Sequence, residues 1–514
     1  MAQVSFNVAK QIIQMGDGDH VRFGTVETQQ PCAWSWITPG GHDVDLIGTG
    51  LAYDPLGKAV AGKVTEIQID TANDDFLHPD ILIKGLNVDA WWLDNSPDSF
   101  WNAVLGGDDV IDGSGFAGSP LGYNALIFGD DLNSRTGTDP STVTDRGGND
   151  KFTLVDAQYF AMGDAYNVAG DVATGQYTIY QAGNDQMLGA PTHKEEQLMG
   201  DVYKLGQNAV LYGGNDVLKF ANDFVAIGDA YTINGGGSRD SVVVGGDDWL
   251  EATGGSTADI TGDVYYTDYN ARVEGGDDTI FDSDQGNVVA GDLDRDRGGG
   301  ATVVGGDDKI FGRGGDDLLV GDVRDGRNAQ IKGGNDVIYG GAGKDTIWGE
   351  LGSKIQYESY VSGGNDQLFG DEGDDQIYGQ TGNDKLYGGL DRDLLDGGRG
   401  NDLLDGGNGD DQLFGGSGKD RLRGGLDNDQ LTGGGDADVF EVTGQFGRDR
   451  VLDFKNGTDK FDVDAGLTFS KLAIKVADLD HDGRADDVSI GLPGGTLEVL
   501  NTTKSALDGT DFLF

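Results

Sequence analysis

The chain has one cysteine in 514 residues, Cys32, so no disulfide can form within it. So few cysteines usually mark a reducing compartment, unless another staple takes the disulfide's place. The five histidines, His20, His42, His78, His193 and His481, nowhere form H-E-x-x-H, the helical pair that binds zinc beside a glutamate base. No serine has the flanking glycines of G-x-S-x-G, the strained elbow that exposes a nucleophile. Gly343-Lys344 is followed by Asp345, not by the Ser or Thr of a phosphate loop. No 18-residue apolar run offers a membrane span, and no apolar or amphipathic stretch suits a membrane-active toxin. Met1 to His20 lack a basic region followed by a long apolar one, so no N-terminal secretion signal is expected. Basic residues number 36 against 89 acidic ones, a net charge of -53 that excludes nucleic acid and anionic membrane as electrostatic partners. With 37% hydrophobic residues and 90 glycines, one large globular core is not expected either.

What the chain does have is rhythm. Asp366, Asp375, Asp384, Asp393, Asp402, Asp411, Asp420, Asp429 and Asp438 stand at an unbroken nine-residue interval. Two positions after each comes a large apolar residue: Leu368, Ile377, Leu386, Leu395, Leu404, Leu413, Leu422, Leu431 and Phe440. Glycines crowd the residues before each aspartate, as in Gly-Gly-Asn-Gly-Asp-Asp-Gln-Leu-Phe from Gly406 to Phe414. This is the nonapeptide G-G-x-G-x-D-x-U-x, which winds a parallel β-helix and binds calcium. Six residues form a glycine-permitted turn with inward carbonyls, and three form a short strand with the U side chain facing inside. Two nonapeptides complete a coil, so each turn stacks on the next but one and encloses an oxygen-lined cavity suited to Ca²⁺. Nine turns in register make seven such pairs, so about seven ions are expected here. Two buried U residues per coil are little against the ordering of so many glycines, and stacked carboxylates repel. The segment is therefore expected to be largely unfolded without calcium and to fold on binding it. Calcium can be the staple that the missing disulfides are not.

Upstream the same element returns with a longer period. Gly-Gly-Asn/Asp-Asp or a close variant ends at Asp109, Asp150, Asp185, Asp216, Asp248, Asp278, Asp308 and Asp336, and the spacing settles near 30 residues. About 14 residues after most of these comes Gly-Asp or Gly-Glu, as at Gly163-Asp164, Gly228-Asp229, Gly291-Asp292, Gly321-Asp322 and Gly349-Glu350. A second nonapeptide intervenes at Asp317 and Asp345. Each unit reads as one 18-residue coil plus an excursion of about 12 residues. The excursions, such as Ala230 to Val244 and Asp263 to Val273, are rich in Tyr, Thr and Val and are expected to add strands along the solenoid. Calcium ligands are expected at the nine tandem aspartates, at Asp308, Asp317, Asp336 and Asp345, and at Asp109, Asp150, Asp216, Asp248 and Asp278. Periodic leucine, isoleucine and valine contradict a disordered acidic chain.

Residues 1–105 differ, holding Trp34, Trp36, Trp91, Trp92 and Trp101, five of the seven tryptophans. Val44 to Asp70 alternates around Asp54-Pro55-Leu56-Gly57, which predicts a hairpin. Ser96-Pro97 followed by Phe100, Trp101, Val104 and Leu105 predicts a capped short helix. The tryptophans read either as the core of an N-terminal cap or as an aromatic platform for a sugar or partner. Beyond 440, Asp449-Arg450-Val451-Leu452-Asp453-Phe454 and Gly457-Thr458-Asp459-Lys460-Phe461-Asp462 read as two short strands, and Asp511-Phe512-Leu513-Phe514 as an exposed tail or a final strand. Asp478, Asp480 and Asp482, followed by Gly483 with Asp486 at the ninth position, have the alternation of an EF-hand-like calcium loop. Position twelve is Ser489 and not Glu, so the loop reads as a weaker calcium site or a plain acidic turn.

The nonapeptides, the D-x-V-L-D-F-x-x-G-x-D-x-F-D stretch and the acid-plus-apolar terminus resemble the RTX, or hemolysin-type calcium-binding, family. The resemblance is specific in the tandem repeats and looser from Asp109 to Asp336. It implies an uncleaved C-terminal signal for type I secretion, an unfolded passage through both membranes, and folding in extracellular calcium. Val44 to Leu105 also looks like the N-terminal β-module of many RTX proteins without known activity.

The expected fold is all-β: a calcium-bound parallel β-roll or β-solenoid with an N-terminal β-rich cap and a C-terminal β cap and secretion segment. Residues 1–105 form the cap, 106–362 an irregular solenoid of about 30-residue units, 363–440 the tandem roll and 441–514 the C-terminal cap and signal. A secreted, non-catalytic structural or adhesive element of the cell surface or matrix is expected, self-associating and dependent on the type I export machinery. The alternative is an extracellular enzyme acting on polysaccharide, or a glycan-binding protein. Paired carboxylates for glycoside cleavage cannot be told from ligand aspartates by counting, and no region is large enough for the catalytic β-helix of a uronate epimerase or lyase.

Overall fold

In a computed structural model, side chains are described for most of residues 272–514, with breaks at 298–299, 327–328, 353–359, 465 and 483. They are described in shorter stretches between 149 and 268, and before 149 only the backbone of strands is described. Asp109, Asp150, Trp91, Trp92, Trp101 and the expected helix near Ser96 lie outside the described residues. The chain divides into two compact units, residues 1–258 with 263–271 and residues 259–262 with 272–514, a division that falls within the stretch read as irregular solenoid.

The first unit opens with an antiparallel sheet. Asp43–Tyr53 pairs with Ala59–Asp70 as the predicted hairpin, flanked by Ala33–Ile37 on one side and Ile81–Asp89 on the other. Gln3–Phe6 joins this sheet to the coils, pairing antiparallel with Ile81–Asp89 and parallel with Val110–Asp112. From there every pairing is parallel. Val110–Asp112, Lys151–Thr153, Gln186–Leu188, Val217–Phe220 and Trp249–Ala252 stack as one wall. Asn124–Phe128, Gln158–Met162, Glu196–Met199 and Phe224–Ile227 stack as a second. The excursions supply two further walls, one from Ala165–Val168 to Val264–Thr267 and one from Val143–Arg146 to Val242–Val244.

The second unit begins with the same four-walled coil and then narrows. Thr279–Phe281, Val288–Ala290, Leu293–Asp296 and Thr302–Val304 are successive walls of one 30-residue coil, each paired in parallel with its counterpart in the next. The excursions of the long units are thus the third and fourth walls. After Tyr360–Ser362 those two walls end, and the coil closes on two strands with an 18-residue period. Register then places like on like. Leu368, Leu386, Leu404, Leu422, Phe440, Phe461 and Phe512 face one another along one wall, and Ile377, Leu395, Leu413 and Leu431 along the other. The tandem U side chains are wholly buried, and together they are the core.

On the outer face the same register stacks Phe281, Phe311, Tyr339, Phe369 and Tyr387, with ring centroids 4.6 to 5.2 Å apart and planes 3 to 7° from parallel. That is the spacing of neighbouring strands. The segment after 440 continues both walls with Arg448–Val451 and Lys460–Val463, and Phe512–Leu513 is a final strand paired with Phe461 and Asp462. Thr496–Val499, Asp487–Gly491 and Ala473–Ala477 close the end as an antiparallel meander. Among the described residues the helical structure is a single 3-10 turn, Phe469–Lys471, and no helix is long and apolar enough to cross a membrane.

Candidate metal centre

Each tandem turn is shaped by where its glycines stand. Gly389, Gly398, Gly407, Gly416, Gly425 and Gly434, at the second position of their nonapeptides, have φ of 92 to 112°. Only residues without a Cβ hold that region cheaply. Asp371 and Gln380 take the same position at φ 71 and 66°, and Asp391, Asp427 and Asp436 replace glycine at the fourth position at 62 to 75°. Gly397 shows why the first position is glycine as well. A Cβ there would stand 2.5 Å from Asp402 Oδ2 and 2.8 Å from the carbonyl oxygen of Gly415, one coil further on. The carboxylate of one turn and the carbonyl of the next but one therefore converge beside Gly397.

The aspartates form a directional ladder. The backbone N–H of Asp366 donates to Oδ1 of Asp384, that of Asp384 to Asp402, and that of Asp402 to Asp420, at 2.9 to 3.0 Å. On the opposite side Asp375, Asp393 and Asp411 donate to Asp393, Asp411 and Asp429, all at 2.9 Å. One oxygen of each carboxylate is thus held by the preceding coil. The other, Oδ2, is buried and receives no hydrogen bond at every tandem position from Asp366 to Asp438. Buried carboxylate oxygens are expensive to leave unsatisfied, so nine in register point to a cation as the missing partner. Asparagines beside them form a second ladder of opposite sense, in which the N–H of Asn383 donates to Asn365 Oδ1 and that of Asn401 to Asn383 Oδ1.

Burial, and then neighbouring carboxylates, push these groups up. Asp384, Asp393 and Asp429 rise to about 8, Asp375 to about 7, and Asp402, Asp411, Asp420 and Asp438 to about 6. Asp366 also rises well above the ordinary value, by burial and then by the charge of Asp384. A divalent cation would reverse every one of these shifts. The donors offered are oxygens alone, carboxylate and carbonyl, which suits a hard ion such as Ca²⁺.

The longer coils continue the ladders. Asp278, Asp308 and Asp336 donate to Oδ1 of Asp308, Asp336 and Asp366 at 2.8 to 2.9 Å, and Asp317 and Asp345 to Asp345 and Asp375 at 2.8 Å. In the first unit Asp216 likewise donates to Asp248 at 2.7 Å. These coils also hold acids that the ligand assignment from sequence passed over. Asp201, Asp229, Asp292, Asp322 and Glu350, from the Gly-Asp and Gly-Glu pairs, are fully buried. Asp164, Asp185 and Asp201 bring carboxylate oxygens within 4.8 Å of one another. The signal was the recurrence of the pair about 14 residues after most of the Gly-Gly turns. Spacing alone does not show which way its side chain points.

Near the C-terminus Asp478 and Asp480 meet Asp487, with carboxylate oxygens within 4.8 Å, and Asp482 lies outside that group. Asp482 Oδ1 instead accepts the N–H of Arg484, and its carboxylate pairs with the Arg484 guanidinium at 3.7 Å. Asp487 accepts the N–H groups of Leu479, Asp480 and Asn501. Burial would raise its carboxyl, but these amides outweigh burial and hold it below the ordinary value.

A family description, the RTX calcium-binding nonapeptide repeat, matches residues 304–323, 332–353, 360–395, 387–422 and 414–444. No curated protein matches the chain. Among solved structures, the extracellular lipase LipA from Serratia marcescens is similar at 16% identity and a TM-score of 0.14, over 48% of this chain and 42% of the lipase. The chain thus spans less than half the length of that lipase.

Proposed function

We propose that this chain, whose residues 304–323, 332–353 and 360–444 match the RTX calcium-binding nonapeptide repeat, is a secreted, non-catalytic β-solenoid that folds on calcium and serves as a structural or adhesive element outside the cell. The observation that carries the reading is the row of tandem aspartates, each with one oxygen fixed by the preceding coil and the other buried without a donor. Asp366 to Asp438, with the first-position glycine carbonyls, would hold the ions, about seven in this segment by the pairing of turns. Calcium would supply positive charge and replace the absent hydrogen bonds. The chain's own work is to present the oxygens in register. Ordering the turns makes binding and folding one event.

Such coupling suits export. A chain with 89 acidic residues and unfilled sites stays unfolded where calcium is scarce and folds where it is millimolar, as type I secretion requires. A stiff solenoid with repeated faces is suited to self-association into a layer or matrix. The test is a calcium titration of purified, chelator-treated protein, followed by circular dichroism and light scattering together. Folding with a large rise in scattering supports a calcium-triggered assembling protein. Full β-structure without calcium at about pH 8, where the carboxylates are ionised, overturns the folding switch, and turnover of a uronate or neutral glycan overturns the non-catalytic reading.

A further inference from the structure

The long coils of the second unit differ from the tandem ones at one turn. Where a tandem turn runs directly from wall to wall, the long coil splits it, leaving by Gly-Asp and returning by Gly-Gly-x-Asp after two further strands. The split brings two acids per coil to the place where the tandem roll has one. Asp292 Oδ1 accepts the N–H of Gly306 at 3.1 Å and Asp322 Oδ1 that of Gly334 at 2.9 Å, so each pair acid ties the outgoing half of the turn to the returning half. Glu350 Oε2 accepts the N–H of Thr381 at 3.4 Å. The second oxygens, Asp292 Oδ2, Asp322 Oδ2 and Glu350 Oε1, are buried in wholly unexposed residues and receive no hydrogen bond. Oδ2 of Asp308, Asp336 and Asp366, from the returning halves, is in the same condition.

The glycines of the split turns mark where acids of successive coils come together, as Asp322 Oδ2 and the Glu350 side chain do beside Gly333. A Cβ on Gly305 would stand 1.6 Å from Asp322 Oδ1 and 2.8 Å from Asp292 Oδ2. One on Gly321 would stand 2.0 Å from Asp336 Oδ2 and 2.1 Å from the Gly349 carbonyl oxygen. For two of these acids the strongest charges come from within the set: Asp308 and Asp322 act on Asp292, and Asp366 and Asp322 on Glu350. By contrast Asp294, in the same coils, is paired with Arg324 and Arg295.

We propose that Asp292, Asp322 and Glu350 are cation ligands, completing with Asp308, Asp336 and Asp366 a set of sites for a hard divalent ion, calcium, that offers two carboxylates per coil. This rests on the calcium reading above and deepens it. Two carboxylates per coil balance one Ca²⁺ per gap in charge, and the many inward oxygens suit calcium better than magnesium, which keeps its waters. Neutral carboxylic acids bonded to one another are the competing account, and it predicts no ion.

The experiment counts calcium bound to the full-length chain by equilibrium dialysis and atomic emission, for wild type and for the variant D292N/D322N/E350Q. The amides keep the shape and the hydrogen-bonding capacity that neutral acids would have, and remove the negative charge that balances and holds the ion. The expected result is a loss of about three ions, one for each replaced acid, with the β-structure in calcium retained. An unchanged count overturns the proposal, whereas a wild type that binds no calcium overturns the calcium reading itself. If the triple variant loses its β-signal in calcium, Asp322→Asn alone is counted. Loss of an ion there supports the site, and a wild-type count overturns it.

Discussion

Acid should fold the tandem roll without calcium. In the cation-free fold the Asp402, Asp411, Asp420 and Asp438 carboxyls sit at about 6, and Asp384, Asp393 and Asp429 at about 8, against 3.8 in an open chain. A rise from 3.8 to about 6 corresponds to about 3 kcal/mol for each group. Every 18-residue coil carries two, so at pH 8 the ionised pair opposes folding by about 6 kcal/mol or more. That matches what the coil's two U side chains contribute by burial, roughly 3 to 6 kcal/mol. The folded state has the higher pKa and so binds more protons than the unfolded one. Its stability is therefore greatest in acid and falls as pH rises through the folded values. Titrated from about pH 8 to about pH 5 in chelator, the far-ultraviolet circular dichroism should gain β-structure with a midpoint between 6 and 8. The titration stops there because net charge vanishes near the pI of about 4.1, where precipitation sets in. A signal that stays unordered over the whole range, or full β-structure already present at pH 8, refutes the reasoning.

Leu404→Ala, at a wholly buried position, should destabilise the calcium-loaded roll by about 2 to 5 kcal/mol in a urea titration and raise the calcium midpoint of folding. Asp391→Gly should stabilise it by about 1 kcal/mol, since Asp391 holds φ at 72° where glycine is unstrained. Its converse, Gly400→Ala, places a Cβ 1.3 Å from the Gly382 carbonyl oxygen at φ +141°, and a loss of more than about 2 kcal/mol is expected in the same assay. Asp402→Asn and Asp411→Asn together should weaken calcium binding in the tandem roll while leaving the third and fourth walls of the long coils folded, as limited proteolysis in calcium would show.

Leu404 and Asp402 could be placed from the sequence because a fixed interval decides both which wall a residue joins and which neighbour it meets. The excursions could be read as added strands from their β-branched and aromatic content, and Val264–Thr267 and Arg272–Glu274 are such strands. Asp322 could be seen but not assigned. The aspartate it faces, Asp336, is brought beside it by two intervening strands whose packing the spacing does not describe. Asp482 illustrates the opposite case. An alternating motif fixes positions along the chain, but the meander of Ala473–Ala477 with Asp487–Gly491 carries Asp487 to Asp478 and Asp480 instead. Arg313 and Gln380 at positive φ have no sequence signal beyond standing where a glycine is usual. The N-terminal tryptophans remain a matter of composition.

The aspartate and asparagine ladders of the tandem roll also bear on how such a chain can change length. Each rung is built from residues 18 apart and is equivalent to the rungs above and below, so excising 385–402 would return every remaining donor to an equivalent acceptor. A cut of any length not divisible by nine would turn leucines outward and set aspartates against strands. Removing a single nonapeptide keeps the chemistry but exchanges the two walls and delivers the C-terminal meander to the opposite side. This solenoid can therefore grow or shrink only in quanta, with its far end alternating between two facings.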